Sequence, residues 1–350
     1  MERKVEVGIL GATGMVGQQF ISFLQGHPWF EVTWLGASER SAGKKYSDAA
    51  NWALDGDAPA AIASQTVNEA KPTDGAPKLM FSAMDASVAG EIEQAFARAG
   101  HFVVSNSRNH RMDPDVPLLI PEVNAEHLGL IPAQRKNRGW EGAIVTNPNC
   151  STITMALGLA PLKQFGIKRI MCATMQAISG AGYPGLPSMD IIGNVIPHIG
   201  NEEEKMETET QKILGDYADG KIIDLPAAVS AHCNRVAVID GHTVTVSVEL
   251  EQKPGVEALK EAMAAYRGVP QQKNLPSAPK QPIHVMTEEN RPQPRKDALL
   301  ENGMAASVGR VRECSILDYK MVILAHNTIR GAAGAAVLNA ELLLDQGLLD

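Results

Sequence analysis

Short apolar runs alternate with longer amphipathic ones along the first 150 residues. Val5-Glu6-Val7-Gly8-Ile9-Leu10 reads as a buried strand, and Gly11-Ala12-Thr13-Gly14-Met15-Val16-Gly17 follows as a glycine turn. Val16, Phe20, Phe23 and Leu24 then recur at helical spacing as far as Gly26. After a His27-Pro28 break, Glu31–Ala37 supplies a second strand, so the unit has βαβ order. Strands and helices continue through Lys78–Ala83, Ala86–Ala99, His101–Ser105 and Gly142–Thr146, which predicts a doubly wound α/β architecture. Asn106–Pro121 interrupts the alternation with prolines and polar residues, and one of Arg108 and Arg111 is expected to face an anion there.

Patterning changes in the second half. Apolar periodicity runs from Ile153 to about Phe165, and Ile170–Met175 is a continuous apolar run. Gly200–Lys205 opens a polar helix with Glu202 and Lys205 three residues apart on one face. Ala228–Ile239, Asp240-Gly241 and the alternating Thr243–Val248 predict a hairpin with a two-residue loop. That register would put Arg235 on the same sheet face as His242, roughly 13 Å along the strand. The Pro-rich stretches Gln271–Pro282 and Asn290–Pro294 read as surface connections.

Composition narrows the function. Three hundred and fifty residues suit two domains, and 44% hydrophobic with 21% charged residues is ordinary globular usage. Net charge is −8 with no basic block, which argues against nucleic acid as a partner. No stretch reaches the roughly 20 apolar residues that span a bilayer, and the charged Met1–Val7 start is no signal sequence, so a cytoplasmic location is expected. Four cysteines, at 150, 172, 233 and 314, form no CxxC pair, so neither a disulfide framework nor a metal site is expected.

The chemistry gathers around one thiol. Pro148 bars helix before it and Asn149 suits a cap, so Cys150 should open the helix that begins at the 147–152 segment. There the free N–H groups and the macrodipole favour thiolate, and the same groups can hold an acyl oxyanion. Cys172, inside its apolar run, reads as an inert small hydrophobe. With the thiol in place, His242 becomes the best base, although a half-buried structural histidine is the alternative. Glycines 11, 14 and 17 suit a pyrophosphate at a helix N-terminus, with a glycine turn of another α/β fold as the alternative. Ser38-Glu39-Arg40-Ser41 and Lys44 follow the second strand; the Arg40 fork between two serines favours a 2′-phosphate, hence NADP over NAD. A merely solvated loop is the competing reading.

The ordered segments GATGMVGQQF, SERSAGKKY, SNSRNHRMDPDVPLLIPEVN, NPNC, QAISGAGYPG, CNRVAVIDGHT and HNTIRGAAGAA resemble the aspartate-β-semialdehyde dehydrogenases, in particular their archaeal and fungal branch. The resemblance implies a Rossmann-like NADP-binding domain of residues 1–149 and 328–350, with an α+β catalytic and dimerisation domain of residues 150–327. The terminal helix, Gly331–Gly347, would return to the first domain. It implies Cys150 as nucleophile, His242 as acid/base and Gln176 as the residue orienting the acyl group. Arg235 would bind the α-carboxylate and Glu202 the amine, while Arg111, Asn149 and Lys205 would hold phosphate. Gly11, Thr13, Gly14, Met15, Val16, Ser38, Arg40, Ser41, Ser82, Ser179 and Gly180 would line the cofactor, with Asn327 near the nicotinamide. The implied reaction is the reversible reductive dephosphorylation of L-4-aspartyl phosphate to L-aspartate 4-semialdehyde, on the route to Lys, Met, Thr and Ile. A homodimer or homotetramer is implied. One departure is Arg235-Val236-Ala237, where a proline is expected after the valine. Malonyl-CoA reductase shares the scaffold and thioacyl chemistry and is the nearest alternative, but Asn149 and the Glu202/Lys205 pair favour the semialdehyde enzyme. A nucleotide-binding sensor would need neither Cys150 nor the 235/242 pair.

Overall fold

The computed structural model describes residues 4–349. β1 (Val5–Leu10), β2 (Phe30–Ala37), β3 (Asn68–Glu69), β4 (Leu79–Ser82), β5 (Phe102–Ser105) and β6 (Ala143–Thr146) form a parallel sheet in the order β3-β2-β1-β4-β5-β6. The four residues of each of β4, β5 and β6 are all buried, as a sheet covered on both faces requires. Strand order reverses between β1 and β4, and such a switch point opens a crevice at the carboxyl ends of the strands. The Met15–Leu24 helix buries Phe20, Ile21 and Leu24 against this sheet. Its approach depends on Gly17, where a Cβ would come within 2.3 Å of the Gly11 carbonyl oxygen.

The second sheet is mixed. β7 (Ile167–Gln176), β10 (Ala228–Arg235), β11 (His242–Leu250), β12 (Ile283–Val285), β13 (Ala306–Glu313) and β14 (Tyr319–Ala325) take the order β10-β7-β11-β14-β13-β12, while β8 (Asp216–Ala218) and β9 (Lys221–Ile223) form a separate ribbon. The Cys150–Leu159 helix contacts β11, β13 and β14 on one face. The other face leaves Met171, Met175, His232 and Thr245 exposed.

The expected hairpin at Asp240-Gly241 does not form. β10 ends at Arg235 and runs parallel to β7, whereas β11 pairs antiparallel with β7 on its other side. Residues 236–241 therefore cross the end of β7. Local turn chemistry cannot reveal that a third strand has inserted between two neighbours in sequence. Gly241, at φ +97°, gives its N–H to Asn327 Oδ1 at 2.8 Å instead of closing a hairpin.

β10 is an edge strand, and three of its outward donors are covered. Ala231 N–H donates to Glu207 and Cys233 N–H to Glu203, both on the Glu202–Ile213 helix, while Arg235 exchanges backbone bonds with Ile196. After β14 the chain passes through a wide turn, Ile329–Ala333, into the Gly334–Asp345 helix. Ala336, Val337, Ala340 and Leu343 of that helix belong to the apolar core around the first sheet. Arg330 and Glu122, both fully buried, make two hydrogen bonds of 2.8 and 2.6 Å that fix the crossing. Among the described residues no helix is long and apolar enough to cross a membrane.

Candidate active site

The thiol stands where a strand of the first sheet hands over to a helix of the second unit. β6 ends at Thr146, Asn149 takes extended backbone angles, and its Oδ1 accepts from the N–H groups of Ser151 and Thr152 at 3.0 and 3.2 Å. Cys150 is the first residue of the helix, as the sequence predicts. Its Sγ lies 3.2 Å from His242 Nε2.

The second ring nitrogen fixes the tautomer. Ala177 N–H points at His242 Nδ1 at 3.0 Å, and a backbone N–H can only donate. Nδ1 is therefore the acceptor, and the neutral ring carries its proton on Nε2, facing sulfur. Burial, with help from Arg235 and His326, pulls the imidazole down to about 3. Burial, then the Glu202 carboxylate, pushes the thiol up to about 12, while Arg235, Arg111 and Lys205 oppose that rise. The substrate-free pair is thus thiol and neutral imidazole. His242 in this tautomer is a donor toward the sulfur rather than its base, and burial works against the thiolate expected at the helix start. Desolvation outweighs the helix terminus here.

The remaining substrate candidates converge, although not by the expected route. A Cβ on Gly180 would stand 2.8 Å from Arg235 Nη1 and 3.0 Å from His242 Cε1, so both flank the same glycine. The end of β7 brings them together, since Arg235 registers with Gln176 and Thr243 with Met175. Arg235 spends Nη1 on the Ala177 carbonyl at 2.8 Å. Glu202 is buried and accepts from Lys205 at 2.6 Å, from Asn149 Nδ2 at 2.8 Å and from Gln176 Nε2 at 3.2 Å. Burial alone would raise its pKa, but the Lys205 ammonium and these hydrogen bonds hold the carboxyl below its usual range. Gln176 is oriented in turn by Thr174, whose hydroxyl donates to Oε1 at 3.0 Å.

Of the two arginines in the 106–121 segment, Arg111 reaches the site and Arg108 is exposed. Arg111 Nη2 donates to the Asn106 carbonyl at 2.7 Å. Its Nε, and Nδ2 of Asn106, are buried without a partner among the described residues. Two such donors in the wall of one cavity suit an anion.

That cavity, of about 310 Å³, joins the thiol to the glycine turn: Cys150, Asn149 and Arg111 share it with Met15, Ser179 and Asn327. Val16 and Gly180 also line it. The Met15–Leu24 helix begins at Gly14 with no side-chain cap, leaving its first N–H groups to an outside acceptor. A Cβ on Gly14 would meet only the Gly11 carbonyl oxygen, at 3.5 Å, so the open space beside it is fit for a dinucleotide pyrophosphate. Thr13 sits in the same turn, its carbonyl held by Gln18. Gly11, at φ +75°, and Ala12 both donate to Gly36 at the end of β2, so the loop that follows, Ser38 to Ser41, starts beside the turn. Ser38 and Arg40 are exposed and free to meet a phosphate, and Ser41 is half-buried. Asn327 bridges Gly241 N–H and the Ser179 hydroxyl, the latter at 2.7 Å. Ser82 departs from expectation, because its fully buried hydroxyl is given to Glu93 at 2.6 Å and cannot serve a cofactor.

Four participants escaped the sequence reading. Ala177 fixes the imidazole by its backbone alone, which no side-chain pattern signals. Gly331 lies against Cys150. Glu209 accepts from Arg111 Nη1 at 2.9 Å and from Asn149 N–H at 2.7 Å, and Lys212 Nζ donates to the carbonyls of Arg111, Asp113 and Val116. Spacing carried a signal for these two: 202, 205, 209 and 212 repeat a charged stripe every seven residues on one helix face.

Residues 6–131 match the family model of the semialdehyde dehydrogenase NAD-binding domain, and residues 159–330 that of the semialdehyde dehydrogenase dimerisation domain. The chain is 51% identical over 343 residues to the aspartate-semialdehyde dehydrogenase of Methanothermobacter thermautotrophicus, covering 97% of this chain and 99% of that protein. It is 46% identical over 365 residues to the Saccharomyces cerevisiae aspartate-semialdehyde dehydrogenase, covering 100% of both. Among solved structures it is similar to the Candida albicans aspartate semialdehyde dehydrogenase with NADP, at a TM-score of 0.91 and 44% identity over 98% of this chain and 99% of that one. The Vibrio cholerae aspartate semialdehyde dehydrogenase II complexed with ASA gives 0.77 and 28% over the same shares.

Proposed function

The chain belongs to the aspartate-semialdehyde dehydrogenase family, and from that premise we propose how its residues divide the work of that NADP-dependent, phosphorylating oxidoreductase. The substrate pair is L-4-aspartyl phosphate and L-aspartate 4-semialdehyde, in the aspartate route to Lys, Met, Thr and Ile. One observation carries the reading: a thiol 3.2 Å from an imidazole opens onto the cavity that continues to the uncapped helix after the glycine turn.

Cys150 sulfur attacks the acyl carbon of aspartyl phosphate; the C–O bond to phosphate breaks and the thiol proton leaves with it as hydrogen phosphate. Substrate binding itself activates the thiol. Glu202 is the charge that opposes thiolate, so a substrate ammonium paired with Glu202 cancels that opposition. The same pairing releases Lys205 toward the phosphate beside Arg111 and Asn149. Arg235 holds the α-carboxylate with the part of its fork not given to Ala177. Gln176 orients the acyl group.

Gly14, Met15 and Val16 would hold the phosphates of NADPH and Ser38, Arg40 and Ser41 its 2′-phosphate, and the bound cofactor would supply the hydride that reduces the thioester carbon. His242 Nε2–H, keeping its proton, would hydrogen-bond the sulfur as the C–S bond breaks and the aldehyde carbonyl re-forms, and the one proton that restores the thiol would come from solvent. Asn327 keeps the Gly241 turn, and hence His242, in place.

As part of the same reading the enzyme is a cytoplasmic homodimer or homotetramer, supported by the match to a dimerisation domain. Reduction of NADP by the semialdehyde should require phosphate or arsenate, whereas CoA dependence without a phosphate response would favour a malonyl-CoA reductase. Cys150→Ser should lose nearly all turnover and still bind NADP. Substantial turnover by that variant would end the proposal.

A further inference from the structure

We propose that Glu209 is a positioning residue for the reaction, a single buried carboxylate that ties the phosphate-binding arginine to the start of the nucleophile's helix. It is 2% exposed and contacts neither the cavity nor sulfur. Each of its oxygens serves a different part of the site. Oε1 takes Arg111 Nη1 at 2.9 Å, and Oε2 takes the backbone N–H of Asn149, the residue before Cys150, at 2.7 Å. Glu202, seven residues earlier on the same helix, holds the side chain of that same asparagine. The two carboxylates therefore grip Asn149 from backbone and side chain, while its Oδ1 caps the Cys150 helix.

Arg111 is held just as closely. Lys212, one turn beyond Glu209, anchors the carbonyls of Arg111, Asp113 and Val116, so the Glu202–Ile213 helix fixes both the backbone and the guanidinium of this arginine. Nη1 and Nη2 each give one N–H to the protein, so the unpartnered Nε and the second hydrogens of the fork are left for an incoming anion. A shift of Glu209 thus moves the anion donor and the helix start together, and those are the two ends of the bond that breaks when phosphate leaves.

The inference rests on Arg111 holding phosphate, so the wild-type enzyme is measured first, by NADP reduction with L-aspartate 4-semialdehyde at varied phosphate. Glu209→Gln should raise KM for phosphate at least tenfold and lower kcat, with KM for NADP and semialdehyde within about twofold. Removing one charge of a buried pair can unfold a protein, so Glu209→Asp, which keeps the charge but withdraws it by one carbon, should show the same selective change in milder form. A uniform rise in all three KM values, or a loss of thermal stability alone, overturns the proposal. The rate of Cys150 alkylation by iodoacetamide needs no substrate and should change at least fivefold in either variant. Should wild-type turnover ignore phosphate, the anion-site reading fails by itself, and an unchanged alkylation rate would then remove Glu209 as well.

Discussion

A Cβ added at Gly331 would stand 2.7 Å from the Cβ of Cys150 and 3.1 Å from its Cα, so the segment that returns the chain to its first core also sets where the thiol sits. Real side chains do not approach so closely, and the neighbour is near-backbone with no flexible end to give way. Gly331→Ala should displace Cys150, lowering kcat roughly 10–100-fold, while overpacking costs only about 1–3 kcal/mol of stability. Steady-state kinetics beside thermal melts would check this; kcat within twofold of wild type would contradict it.

The thiol and imidazole predict a distinctive pH profile. Burial raises Cys150 to about 12 and lowers His242 to about 3, so in the substrate-free enzyme neither is charged near neutrality. Alkylation by iodoacetamide should be slower than for a free cysteine at about pH 7 and still climbing beyond about pH 9. Bound aspartate, by presenting its ammonium to Glu202, should speed it. A plateau already reached by about pH 7 would mean a preformed thiolate–imidazolium pair, contrary to the structure.

Much of this site could be read before the fold was known, and the limits were physical. The Asn149 cap and the glycine turn are local, so backbone chemistry within a few residues dictates them. Arg235 and His242 were correctly paired but wrongly connected, because β7 enters between them from sixty residues upstream. The charge state of Cys150 is likewise not legible from the local pattern. A helix start favours thiolate wherever it lies, whereas desolvation depends on what the whole chain packs around it. Ser82 reads as available in the sequence because Glu93, which captures its hydroxyl, lies eleven residues away on the following helix.

Arg235 keeps one arm on the Ala177 carbonyl, and a lysine cannot hold that bond and present a fork to a carboxylate at once. Arg235→Lys should raise KM for the semialdehyde about tenfold with a smaller effect on kcat. An unchanged KM would remove Arg235 from the carboxylate site.

Arg40 is exposed beyond β2 with no ion pair among the described residues, which leaves its guanidinium free for the proposed 2′-phosphate. Losing a charge-assisted contact worth about 1.5–3 kcal/mol, Arg40→Ala should raise KM for NADP roughly 10–100-fold and leave KM for NAD nearly unchanged. Equal losses with both nucleotides would place the 2′-phosphate elsewhere.

The acidic residues Glu203 and Glu207 bear on how the sheet meets its surroundings. An outer strand with two amide hydrogens already pointing at carboxylates offers a visiting chain fewer donors, and the negative charge repels a backbone carbonyl that approaches them. A second sheet approaching along β10 would find these two amides already taken. What stays open is the broad side that carries Met171 and Met175, where a contact would be made through side chains rather than through a ladder of peptide bonds.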